Sequence, residues 1–248
     1  MPRRIPRLRR RRGGRSGWVL LVLIAAAAIA LVAALPTLGD QQPAPPASGR
    51  TDAADGTALA LLDTLPVKGR APKTGYDREE RFGEAWLDVD RNGCDTRNDI
   101  LARDLTATTV DGTCRVLSGT LDDPFTGDRI RFIRGQATSA EVQIDHVVAL
   151  SNAWQTGAQR LTEDERVLLA NDPLNLLAVD GAANSSKGDG DAATWLPPQK
   201  SFRCDYVARI VSVKAAYGLW VTPPERDGIA RVLGGCRDEP ALTSALAP

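Results

Sequence analysis

A single histidine, His146, serves all 248 residues of this chain. The four cysteines (Cys94, Cys114, Cys204 and Cys236) include no C-x-x-C pair. A zinc site would therefore lack short ligand spacing and would have to recruit the only imidazole. No G-x-S-x-G element occurs either, so a serine hydrolase using His146 lacks the strand-to-helix elbow that exposes its nucleophile. Internal repeats are absent. If the chain performs acid/base chemistry near neutral pH, His146 is the leading proton carrier, because imidazole alone titrates unperturbed between about pH 5 and 8. The plain alternative is a hydrogen-bonded core histidine, since Ile144, Val147 and Val148 flank it.

Acid is missing from residues 1–17, which carry eight arginines: Arg3, Arg4, Arg7, Arg9, Arg10, Arg11, Arg12 and Arg15. Trp18 to Leu35 is then an unbroken run of 18 apolar residues. As a helix it would rise roughly 27 Å, about the thickness of a bilayer's hydrocarbon core. A basic flank before an apolar core is an export arrangement, with the arginines held in the cytoplasm. The expectation is a signal anchor or signal peptide at 18–35, a membrane contact if uncleaved, and an extracellular or membrane-anchored remainder. Residues 36–56 are a Pro/Ala/Gly/Asp-rich linker, and 57–248 are long enough for one well-buried domain.

Positive charge is scarce beyond residue 17. The whole chain balances at 31 basic and 31 acidic residues. Without the eight arginines, residues 18–248 hold 23 against 31, a net of −8. Diffuse electrostatic binding of nucleic acid is thereby disfavoured, and phosphate chemistry would need a local basic group and a bound cation. Four cysteines allow three pairings. Cys94–Cys114 and Cys204–Cys236 are favoured, because each closes a loop within one subregion.

Periodicity predicts a short helix over 58–67, a helical stretch from Asp77 to Trp86, and a turn-rich loop over 88–99. Asp111-Gly112 between two β-prone runs predicts a hairpin. A turn at 122–128 leads to the strand RIRFI, and EVQIDHVVAL (141–150) is a strand ending near the histidine. Thr162 to Glu165 forms a capping box, LNLLAV (174–179) is the next strand, and Asp180 caps a helix carrying Asn184 and Lys187.

Strand, helical insertion, strand, helix, with Asp145-His146, Asn175 and Asn184 placed along them, resembles the HNH endonucleases, whose catalytic unit is the ββα-metal finger. The segments WLDVDRNGCDTRNDILARDL, GTLDDPFTGDRI, DPLNLLAVDGAANSSKGDGDAATWLPP and CDYVARIVSVKAAYGLW extend the likeness to a secreted bacterial branch. The resemblance implies an α+β domain that hydrolyses phosphodiester bonds of DNA, with RNA as a second substrate. It implies His146 as general base and a divalent cation, Mg²⁺ before Mn²⁺ or Ca²⁺, on Asp145 and Asn184. Hard oxygen donors suit such ions, and a neutral imidazole suits water activation. Asn175 would orient the imidazole or support the ligand loop, and Lys187 would contact phosphate as a point charge.

Each assignment has a structural counterpart. Asp145 can cap local backbone, and neighbouring strand residues point to opposite faces, so acting with His146 requires an irregular strand end. Asn175 can simply pin a turn, Asn184 can be an ordinary polar helix residue, and Lys187 can be merely solvated. Asp189 and Asp191 read as an acidic glycine turn, and Arg97 as half of an ion pair. A membrane-tethered binding module without catalysis is the remaining alternative.

Overall fold

The computed structural model describes residues 56–135 and 139–248. Helix α1 (Ala58–Thr64) is capped by the Thr57 hydroxyl and leads to α2 (Arg78–Phe82), capped by Asp77. α2 stops at Gly83, where φ is +77°, so the helix expected to reach Trp86 is shorter. A β-carbon is strained in that left-handed conformation. Helix α3 (Thr96–Asp104) begins inside the stretch read as a loop, because Asp95 accepts from the Asn98 amide and starts it. Three antiparallel strands follow in the order β1 (Leu105–Asp111), β2 (Arg115–Asp122), β3 (Arg129–Ile133). The β1–β2 hairpin turns through Asp111-Gly112, with Asp111 paired to Arg115.

β4 (Val142–His146) then pairs antiparallel with β5 (Leu176–Asp180), His146 opposite Leu176 and Asp145 opposite Leu177. Between them lie α4 (Leu150–Gln155), a short 3₁₀ turn and α5 (Glu163–Asn171). α5 opens with the Thr162–Glu165 capping box, both reciprocal bonds present. The hairpin closes into α6 (Gly181–Lys187), capped by Asp180, and the chain continues to α7 (Arg203–Ala216) and α8 (Pro223–Leu233). Gly181 is required at its corner: a β-carbon there would lie 2.1 Å from the Ala140 carbonyl oxygen.

Two apolar clusters share the β4–β5 ribbon as a wall. Val142, Ile144, Leu176 and Ala178 join Ile100, Leu101, Leu121 and Phe132 on one side. Leu177, Val179, Val147 and Val148 join the larger helical cluster built on Tyr206, Val207, Ile210 and Val211 of α7. Alternation along a pleated strand sends successive residues to opposite cores, which is why β5 is buried almost throughout. The result is a single α+β domain with two small sheets.

Cys94–Cys114 and Cys204–Cys236 are both disulfides, and no free cysteine is found among the described residues. The first joins the loop before α3 to the β1–β2 turn, and the second ties the start of α7 to the chain just after α8. No helix among the described residues is long and apolar enough to cross a membrane. The Trp18–Leu35 segment lies outside the described residues.

Candidate active site

The site forms where β4 ends. His146 is 8 % exposed and its imidazole is pushed down to about 3, chiefly by burial, with the Arg78 charge adding to the effect. At neutral pH the ring is therefore uncharged. One ring nitrogen, Nε2, lies 2.9 Å from the Ala170 carbonyl oxygen. A carbonyl only accepts, so Nε2 carries the proton and Nδ1 keeps its lone pair. Ala170 sits at the end of α5, so the helical insertion between the two strands supplies the acceptor that sets the tautomer. The Trp86 indole stacks beside the imidazole, ring centroids 6.2 Å apart and planes inclined by 18°. Trp86 holds a left-handed backbone, φ +66°, an uncommon conformation for a bulky residue.

Asp145 is 4 % exposed. Its Oδ1 accepts from the Lys187 ammonium at 2.9 Å, while Oδ2 is enclosed and has no partner. Burial pushes this carboxyl above its ordinary range, and Lys187 opposes the shift. Lys187 also donates to the His146 carbonyl at 2.8 Å and its side chain is fully enclosed. Lys187, expected to contact phosphate, is thus enclosed and held by a carboxylate and a carbonyl at the strand end.

Asn175 is also placed away from the cleft. Its Oδ1 accepts from the Val148 amide at 2.8 Å, and its Nδ2 donates to the Leu169 carbonyl at 3.2 Å. With the Val147 amide bonded to the Asn175 carbonyl at 2.8 Å, it fastens the backbone just beyond His146. This is the turn-pinning role, and it fixes the segment carrying the imidazole.

Asp145, His146 and Asn184 line one cavity of about 250 Å³, together with Tyr76, Arg78, Ser151 and Asp189. Consecutive strand residues thus reach one cleft because β4 stops at His146. Asn184 on α6 donates its amide nitrogen to Gln143 Oε1 at 2.9 Å, which directs the assignment of its carbonyl oxygen as an available donor atom. Asp189 accepts from Ser151 at 2.7 Å and pairs with Lys73 at 3.0 Å, and Asp191 pairs with Arg70 at 2.7 Å. The acidic glycine turn therefore anchors the 70–76 segment. Arg97 donates to the Val142 carbonyl at 3.3 Å and forms no ion pair among the described residues.

The residues lining the cleft offer oxygens: the Asp145 carboxylate, whose enclosed Oδ2 has no partner, the Asn184 amide carbonyl and the Asp189 carboxylate already paired with Lys73. Such a hard, sparsely charged set fits a divalent ion that keeps several waters. The described residues contain one close triad of conventional ligands, Cys204, Cys236 and Glu239. Its sulfurs are joined to each other, so it offers no thiolate. Tyr76, Arg78 and Ser151 were missed as cleft residues in the sequence; Tyr76 and Arg78 carry no spacing signal, because the 76–86 segment reaches His146 only through tertiary packing.

At this site a β-ribbon delivers an oriented neutral imidazole, and the helix that follows brings an amide to the same cavity. The chain belongs to the family described as "GmrSD restriction endonucleases, C-terminal domain", whose model matches residues 95–232. Asp145, His146, Asn175, Asn184 and Lys187 all fall within the match, whereas Tyr76, Arg78 and Trp86 precede it. The chain is also similar to a protein of the fungus Arthroderma benhamiae (strain ATCC MYA-4681 / CBS 112371) described as "Uncharacterized secreted protein". The two are 35 % identical over 210 residues, covering 84 % of this chain and 98 % of the relative. This relative is fungal, whereas the expected likeness was to a bacterial branch. No solved structure matches the chain.

Proposed function

We propose that the domain is a metal-dependent endonuclease of the HNH type that hydrolyses phosphodiester bonds of DNA, and of RNA as a second substrate, outside the cytoplasm. The observation that carries this reading is the His146 Nε2–Ala170 bond beside the cleft shared with Asp145 and Asn184. It leaves Nδ1 as the proton acceptor. Nδ1 takes a proton from water, the resulting hydroxide attacks phosphorus, the ester P–O bond breaks, and the departing oxygen acquires a proton from solvent. Asp145 and Asn184 would hold a divalent ion, Mg²⁺ first among the candidates, which supplies electrostatic stabilisation of phosphate and leaving oxygen when bound. Asn175 and Lys187 keep the strand end rigid, so the base stays in register.

Export is supported by the arginine block, the apolar run, the two disulfides and the secreted description of the fungal relative. We propose the boundaries 1–17, 18–35, 36–56 and 57–248 for the basic flank, export segment, linker and nuclease domain.

The test is cleavage of plasmid DNA and of single-stranded RNA by the full-length protein, with and without EDTA. Metal-dependent cleavage that falls about 10²–10⁴-fold in a folded His146→Ala variant is expected. Undiminished cleavage by that variant would remove His146 as the base, and undiminished cleavage in EDTA would remove the metal. Absence of cleavage on either polymer would favour a binding module.

A further inference from the structure

The charges around the cleft do not balance evenly. Asp145 is matched by Lys187, and Asp189 by Lys73 and the Ser151 hydroxyl. Arg78 is the cation left over: it is exposed, and its guanidinium makes no hydrogen bond and no ion pair among the described residues. It lines the cavity containing Asp145 and Asn184 and also the small cavity on the Trp86 side of the imidazole. Its charge is felt at His146 and at the Tyr76 hydroxyl.

Its position in the chain sharpens the point. Arg78 opens a helix, the end at which a cation is electrostatically unfavourable, and it gains no compensating partner there. A long, flexible guanidinium unpaired beside a proton acceptor suits an incoming anion better than it suits stability. Its planar array of donors matches the paired oxygens of a phosphate.

We propose that Arg78 is a catalytic residue that binds a non-bridging oxygen of the scissile phosphodiester and stabilises the charge developing there. This inference rests on the nuclease reading and extends it to a residue outside the stretch matched by the family model. In a net-acidic domain, Arg78 provides the local positive charge that a phosphate requires.

Full-length wild-type, Arg78→Ala and Arg78→Lys proteins should be assayed on plasmid DNA and on bis(4-nitrophenyl) phosphate, which contains a single phosphate. Arg78→Ala is expected to lower kcat about 10²–10³-fold on both substrates. Arg78→Lys should recover part of the loss, and added guanidinium should partly rescue the alanine variant. The melting temperature should be unchanged, because no native bond is removed. Wild-type kcat in Arg78→Ala would overturn the proposal, as would a loss confined to DNA, which would place Arg78 on a flanking phosphate.

His146→Ala separates this failure from that of the nuclease reading. An active Arg78→Ala beside an inactive His146→Ala sinks the Arg78 role alone. If the wild type cleaves nothing, the nuclease reading falls. Oligonucleotide binding by fluorescence anisotropy then decides Arg78's phosphate contact, and equal affinity of wild type and Arg78→Ala would refute it.

Discussion

Two lysine–carboxylate pairs are buried among the described residues, and they are finished differently. Lys214 on α7 meets Glu225 on α8 at 2.8 Å and also donates to the Trp220 carbonyl and Asn152 Oδ1. Glu225 accepts in addition from the Thr222 amide, as the reciprocal half of the α8 capping box. Burial pushes the Lys214 ammonium down and Glu225 holds it up. Lys187 and Asp145 form an equally enclosed pair at 2.9 Å, yet Asp145 Oδ2 has no partner and the residue lines the cleft. A buried carboxylate oxygen without a hydrogen bond costs stability. The same kind of pair thus serves as a brace in the helical core, and at the end of β4 it leaves one buried carboxylate oxygen without a partner beside the imidazole.

Substitution should separate the two roles. Asp145→Asn should reduce cleavage on the order of 100-fold or more, in line with losses on disturbing a metal's surroundings, and extra Mg²⁺ or Mn²⁺ should not restore it fully. Glu225→Gln should leave kcat per folded molecule near wild type but lower unfolding free energy by about 3–5 kcal/mol, because it strands a buried ammonium. Urea denaturation and initial rates on the same preparations read both quantities. The comparison breaks if Glu225→Gln abolishes turnover in folded protein, or if Asp145→Asn remains fully active.

The disulfides test how far the helical core depends on covalent closure. Replacing Cys204 and Cys236 together by Ser opens a loop of 32 residues and should cost about 3–4 kcal/mol in the chain-entropy model. The Cys94/Cys114 double variant opens 20 residues and should cost slightly less. Denaturation midpoints that leave both variants at wild-type stability would show that packing alone holds these segments.

Alkaline pH acts more gently and on the helical side. Tyr206 and Tyr217 are enclosed, and burial raises both phenols above their usual value, with Asp172 adding to the shift at Tyr217. A folded-state value above the unfolded one means their contribution is complete below about pH 10 and is lost as pH climbs beyond it. Urea midpoints should therefore decline above pH 10, with tyrosinate absorbance appearing together with unfolding. Early ionisation of both phenols in the folded protein would contradict their burial.

Much of the site was legible locally. The helix starts at Thr162 and Asp180 follow from capping chemistry, a short-range exchange between a side chain and the next turn's amides. The hairpin at Asp111-Gly112 follows from turn geometry. The strand pair around the insertion follows from its apolar, β-branched runs. Lys187 illustrates the limit: a lysine three residues after an asparagine on a short helix reads as solvated or phosphate-facing, and nothing nearby reveals that Asp145, 42 residues earlier, waits inside to neutralise it. α3 illustrates another, because Asp95 was read within a turn-rich run while it was starting a helix.

By itself the sequence determined which groups were available: one imidazole, a carboxylate beside it, amides on the following elements, and the strand–insertion–strand–helix order that carries them. Those follow from composition, periodicity and capping, all expressed within a few residues. Only the tertiary structure decided which nitrogen of His146 holds the proton, which oxygen of Asp145 is left without a partner, and that Arg78 faces the cleft without one. Each depends on groups remote in the chain, the Ala170 carbonyl, the Lys187 ammonium and the packing of the 76–86 segment. Hydrogen bonds and charge pairing act through space over a few ångströms, whatever the separation in sequence.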